Sequence, residues 1–201
     1  MPRKTGKIKS NTTILLVVEG ITEQIYFSEM RTLERNPGVT VIPKMAKHSD
    51  IYHILDTAIT EIKSGAYDSV WCVFDRDTLL INKITKELKS KISDAERYGI
   101  KFADSFPAFE IWFLLHYKIP KQIYNNQNEV INELKKYISD YSKEKQWFDN
   151  KKLYAFLKDK LSIAINNSKL LEDKNEQIDS ENKSICNVYK VVKDILGSKT
   201  V

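Results

Sequence analysis

Two short apolar runs, each ending abruptly in acid, constrain this chain more than any other feature. Ile14-Leu15-Leu16-Val17-Val18 leads directly into Glu19-Gly20, and Val70-Trp71-Cys72-Val73-Phe74 leads directly into Asp75-Arg76-Asp77. Apolar, β-branched runs of this length, bounded by turn-forming residues, predict strands buried on both faces, as in a parallel sheet. A sheet of that kind receives its ligands in the crevice beyond the carboxyl ends of its strands. Glu19, Asp75 and Asp77 are therefore expected to arrive together where such a fold puts its chemistry.

The rest of the amino-terminal half has matching punctuation. The first strand, 13–18, is expected to lead into a helix running to about Arg35, capped by Thr22 and stopped by Asn36-Pro37-Gly38. A short second strand, 39–42, ends at Pro43. Ser49 or Asp50 then opens a helix whose Ile51, Ile54, Leu55, Ala58 and Ile62 share one face, with Gly65 at its end. After the third strand, 70–74, Ile84, Leu88, Ile92 and Ala95 form the stripe of another helix ending near Gly99, and a fourth strand covers 100–103 or 100–105. Strands alternating with helices over short loops predict an α/β fold: a mainly parallel sheet of about four strands, with right-handed crossovers and helices on its faces.

Phe106-Pro107 breaks this pattern, and the remainder reads as helix. Residues 109–117 are aromatic-rich and expected to be buried. Helical spacing recurs at Val130, Leu134, Tyr137 and Tyr141, then at Leu153, Phe156, Leu157 and Leu161. Residues 172–183 read as a polar loop, and Ile185, Val188, Tyr189, Val192 and Leu196 as a last helix. The expected organisation is an α/β core over 1–105 with a helical carboxyl-terminal extension, 106–201, packed on it as one unit.

Composition narrows the function classes. At 201 residues, 42% hydrophobic and 29% charged, the chain is long enough for one full core and is not of a disordered type. No apolar run approaches the roughly 20 residues that span a bilayer, and no apolar stretch follows the basic start, so a cytoplasmic location is expected. Cys72 and Cys186 lie far apart without CxxC spacing, and His48, His53 and His116 have no zinc-ligand pattern. The net charge of +5 suits a polyanionic partner only weakly, because many lysines alternate with acids, as in Lys143-Glu144-Lys145.

Asp75 and Asp77, two residues apart, face the same way in an extended segment. Paired carboxylates repel unless a cation lies between them. Mg²⁺, with Mn²⁺ as a substitute, binds through one or two carboxylates plus waters and phosphate oxygens, and Glu19 could complete the site or move protons. The plainer reading of Asp-x-Asp is a turn or a helix cap. Arg76 is either exposed or in contact with phosphate. Lys44, Lys47 and His48, just past the second strand, lie on the same sheet edge and either bind phosphate or form a solvated loop. His116 reads as a packing histidine before a proton donor. Trp71 reads as core, and Phe106, Phe109, Trp112 and Phe113 read as core before base-stacking residues.

Val17-Val18-Glu19-Gly20-Ile21-Thr22-Glu23 and Val73-Phe74-Asp75-Arg76-Asp77 resemble the two motifs of a TOPRIM domain, the metal-dependent catalytic domain of topoisomerases, primases and several nucleases. The continuation, Ser105-Phe106-Pro107-Ala108-Phe109-Glu110-Ile111-Trp112-Phe113-Leu114-Leu115-His116, resembles the RloB family, small TOPRIM-like proteins of bacterial restriction and abortive-infection loci. So does Asn182-Lys183-Ser184-Ile185-Cys186-Asn187-Val188-Tyr189, with Lys183 in place of a usual proline.

The resemblance implies a TOPRIM/Rossmann-like core with Glu19 as general acid/base and Asp75 and Asp77 as metal ligands. It offers Glu110 as a further ligand or as a group that orients a basic residue, against a first-turn helix acid. Glu23 reads first as a first-turn helix acid. The implied activity is Mg²⁺-dependent hydrolysis of DNA or RNA, tRNA included, in anti-phage defence beside an AAA or ABC-type ATPase. The chain has no GxxxxGK[ST] loop of its own. The competing reading is a non-catalytic adaptor that binds a partner ATPase or nucleic acid. Strand passage and priming rank below both, and the carboxyl-terminal helices could support a homo-oligomer.

Overall fold

The computed structural model describes residues 11–36, 38–48, 50–76, 85–176 and 183–197. Strand β1 (Thr12–Val18) is followed by helix α1 (Ile21–Glu34), β2 (Val39–Met45), α2 (Ile51–Lys63) and β3 (Ser69–Asp75). Helix α3 (Lys86–Arg97) and β4 (Lys101–Phe106) complete the alternating half. The sheet has five strands in the order β2-β1-β3-β4-β5, the first four parallel. The fifth, β5 (Ile185–Cys186), comes from the far end of the chain and pairs antiparallel with β4. The expectation of a mainly parallel, helix-flanked sheet holds, with one strand more than the pattern signalled.

β1 and β3 are central, and their apolar residues divide strictly by parity. Ile14, Leu16, Val18, Trp71 and Val73 face a large core that contains α1 and the carboxyl-terminal helices. Leu15, Val17, Val70, Cys72 and Phe74 face a smaller core under α2 and α3. The period-two geometry of a strand sends alternate side chains to opposite faces, so an unbroken apolar run means burial on both. Trp71 and Cys72 are core residues, as expected.

Several boundaries differ from the sequence pattern for definable reasons. β2 runs through Pro43 to Met45 because it lies at the sheet edge, where a proline's missing N–H removes no ladder bond. Helix α1 begins after Gly20, not at a Thr22 cap, and Thr22 is buried in its first turn. Asp50 caps α2, accepting the N–H of His53 at 3.1 Å, and Thr85 caps α3. Ser49, Pro37 and Ile84 lie outside the described residues.

The second half supplies α4 (Glu110–Leu115), α5 (Gln127–Leu134), α6 (Lys145–Lys151) and α7 (Leu153–Leu157). A short 3-10 turn (Lys158–Lys160) then leads to α8 (Leu161–Glu176), and α9 (Val188–Leu196) follows β5. α5 stops at Leu134, so Tyr137 and Tyr141 lie beyond it. α8 continues through the first residues expected to be loop, and Ile185 belongs to a strand rather than to the last helix. α4 is wholly buried, with Phe109, Trp112 and Phe113 in the large core as expected. Among the described residues, no helix is long and apolar enough to cross a membrane.

Candidate functional site

The carboxyl ends of β1, β3 and β4 lie side by side, and the two acidic motifs meet there. Glu19, one residue past β1, donates its backbone N–H to Val73 O at 3.1 Å. Its carboxylate Oε2 accepts the backbone N–H of Asp75 at 2.8 Å. Glu19 is thus bonded to β3 through both main chain and side chain, and the two half-buried carboxylates sit on adjacent strand ends. A backbone N–H on a carboxylate is a charge-assisted bond that fixes the carboxylate's direction. Asp77 lies outside the described residues.

Glu23, one turn into α1, is more deeply placed than its position in a helix's first turn implies. It is 5% exposed, and burial, helped by the charge of Glu110, pushes its carboxyl up to about 7. Its Oε2 is buried without a hydrogen-bond partner among the described residues. Gly20 makes room for it: a Cβ at Gly20 would stand 3.0 Å from that oxygen. Gly20 has an extended backbone, φ −137°, so it is the close approach of Glu23 rather than an unusual turn that favours glycine here.

Glu110, the first residue of α4, is fully buried and well provided with donors. Tyr141 Oη donates to its Oε1 at 3.0 Å, and Gln127 Nε2 to its Oε2 at 3.1 Å. The ammonium of Lys143, 3.1 Å from Oε1, pairs with it from a half-exposed position. Burial, with the neighbouring Glu110 charge, holds the Tyr141 hydroxyl far above its ordinary range, so it donates and stays neutral. Lys143, read from sequence as part of a solvated face, lies instead at the edge of this buried cluster.

Arg76 Nε pairs with Asp104, a buried residue of β4. Lys44 turns its ammonium to Glu61 of α2, on the face of the sheet away from α4. Lys47 and His48 are exposed beyond β2, and the His48 ring lies 4.5 Å from that of His53, whose Nδ1 meets Asp50. His116 is 1% exposed, and its Nδ1 is 2.9 Å from Trp112 O at the far end of α4 from Glu110. Burial lowers its pKa to about 4, so the ring is neutral.

The donor chemistry at the strand ends suits a hard divalent cation: Glu19 and Asp75 supply two carboxylates, the number that Mg²⁺ commonly takes from protein. Among the described residues, no group of three or more His, Cys, Asp or Glu is gathered in metal-holding geometry. Sequence reasoning placed Glu19 and Asp75 together but passed over Asp104, Tyr141, Lys143 and Asn187. Asp104 carried a usable signal, an acid preceded by Phe102 and Ala103 in a strand expected to be packed. The others reach the site only through long-range packing.

A family model described as RloB-like protein matches residues 14–195. No curated protein and no solved structure matches the chain.

Proposed function

The chain belongs to the RloB-like family, and we propose that it is a metal-dependent nuclease, hydrolysing phosphodiesters of DNA or RNA with Mg²⁺ or Mn²⁺ at Glu19 and Asp75, joined by Asp77. The supporting observation is the bond from Asp75 N–H to Glu19 Oε2, 2.8 Å, which joins the two acidic motifs at one sheet edge. A divalent ion held there supplies Lewis-acid stabilisation of charge on phosphate oxygens. Glu19, oriented by that backbone N–H, either completes the ion's ligand set or takes a proton from an attacking water. Glu23, buried and raised to about 7, is able to hold a proton close to neutral pH. Lys143, anchored on Glu110 but half exposed, keeps a positive charge at the edge of the buried acidic cluster. Action in anti-phage defence beside a partner ATPase belongs to the same proposal and rests on the family resemblance; the sequence has no GxxxxGK[ST] loop, so nucleotide hydrolysis would fall to that partner.

The test is cleavage of plasmid DNA, single-stranded DNA and total tRNA with Mg²⁺, Mn²⁺ or EDTA, with and without a candidate AAA or ABC-type ATPase partner. The expected result is metal-dependent cleavage that Asp75→Ala abolishes. No cleavage of any substrate, with the ATPase present and active, would refute the nuclease and favour an adaptor that binds the same partner after its acids are removed.

A further inference from the structure

The arginine between the two acids of the third-strand motif is held on two sides. Arg76 Nε donates to an oxygen of Asp104, and the Arg76 backbone N–H donates to Ser105 O at 2.7 Å. The Asp104 side chain is itself 7% exposed, and its other oxygen accepts Asn187 Nδ2 at 2.8 Å. The backbone N–H of Asn187 donates to Asp104 O, also at 2.8 Å. A carboxylate this buried is costly unless paired and hydrogen-bonded. Asp104 meets that condition with a guanidinium from the turn after β3 and a carboxamide from the junction of β5 and α9. Three segments distant in sequence meet on one side chain.

We propose that Asp104 and Asn187 are positioning residues for the acidic turn. Asn187 orients the Asp104 carboxylate, Asp104 grips Arg76, and Arg76 fixes the end of β3 at Asp75. The β3–β4 ladder ends with the Arg76 N–H on Ser105 O, so past that bond the side-chain clasp is what holds the turn, and misplacing a reacting group by about 1 Å costs on the order of a hundredfold in rate. The two-residue strand β5 then has a purpose: it brings Asn187 under β4. The catalytic part of this inference rests on the nuclease reading, whereas the clasp itself does not. It also makes Arg76 a structural partner of Asp104 rather than a ligand for phosphate.

The test is residue-resolved hydrogen–deuterium exchange on the full chain, comparing wild type with Asn187→Ala and Asp104→Asn, together with kcat and KM on the nucleic acid it cleaves. The clasp predicts that exchange at the Asp75 and Arg76 amides rises about tenfold in both variants while β1 stays protected. kcat should fall about tenfold with KM within about twofold. Arg76→Ala combined with Asp104→Asn should be no worse than either alone, as for residues acting as one unit. Unchanged exchange in both variants overturns the proposal. So does a KM increase in Arg76→Ala that Asp104→Asn does not share, since that marks a substrate ligand. If Asp104→Asn fails to fold, Asn187→Ala, which keeps the backbone bond to Asp104 O, decides alone. If the wild type cleaves nothing, the exchange result still decides the clasp, and only the nuclease reading falls.

Discussion

Glu19 and Asp75 stand half-buried at neighbouring strand ends, whereas Glu23, one helical turn beyond Glu19, and Glu110 are buried in the large core. Both pairs are carboxylates near the same sheet edge, yet they are held in opposite ways. A main-chain N–H of the neighbouring strand holds the first pair together with both residues half-buried, although the Asp75 Oδ1 atom is itself buried. The second pair is shielded from water, with Glu110 surrounded by Tyr141, Gln127 and Lys143 and with Glu23 pushed up to about 7. Residue type alone does not set a carboxylate's chemistry; the donors and the dielectric around it do. The outer pair is suited to a cation, and Glu23 of the inner pair to holding a proton.

The largest expected effect tests the outer pair. Glu19→Ala or Asp75→Ala should each reduce cleavage by about a hundredfold or more, with the fold retained by circular dichroism. Wild-type rates in both would remove the distinction between the pairs, since neither would then be catalytic.

The inner pair is tested through pH. Glu23 is raised in the folded state, so its contribution is full below 4.5 and is lost as pH rises through about 7, on the order of 3 kcal/mol in all. His116 is lowered, so its contribution is full above 6.5 and is lost as pH falls through about 4, by a similar amount. Over the pH range they share, the two slopes oppose each other. Melting temperatures should therefore change little there in wild type. Glu23→Gln should steepen the loss of stability towards acid and raise stability above neutrality. A pH profile identical to wild type would mean that Glu23 is not buried as described.

Glu110→Ala should cost about 2 kcal/mol, because it leaves the Tyr141 hydroxyl and the Gln127 amide without their acceptor. Lys143, half exposed, adds little to that loss. Denaturant unfolding would measure it, and a change under about 0.5 kcal/mol would show that the inner cluster is loosely assembled. Lys44→Ala is the smallest: its exposed pair with Glu61 is worth less than about 0.5 kcal/mol. A large rise in KM for that variant would instead bring Lys44 into the substrate path.

The sequence was most legible where local rules coincide with burial. β1 and β3 were visible because an unbroken apolar run has few alternatives, and α2 because its apolar stripe, Asp50 cap and Gly65 stop all agree. Pro43 misled because whether a strand lies at the edge is a property of the sheet, not of the strand. β5 was hidden because two residues carry no periodicity, and Tyr141 was assigned to a helix that ends at Leu134.

By itself, the sequence determined that acids would end two buried parallel strands, since the apolar runs stop where the acids begin and strand direction carries them to one edge. Only the tertiary structure decided which carboxylates stay half-buried at the strand ends and which are buried in the core. It also decided that Asp104 binds Arg76 and that Asn187 reaches Asp104 from 83 residues away. Local propensity acts over a few residues, but desolvation and hydrogen bonding depend on neighbours that only the folded chain brings together.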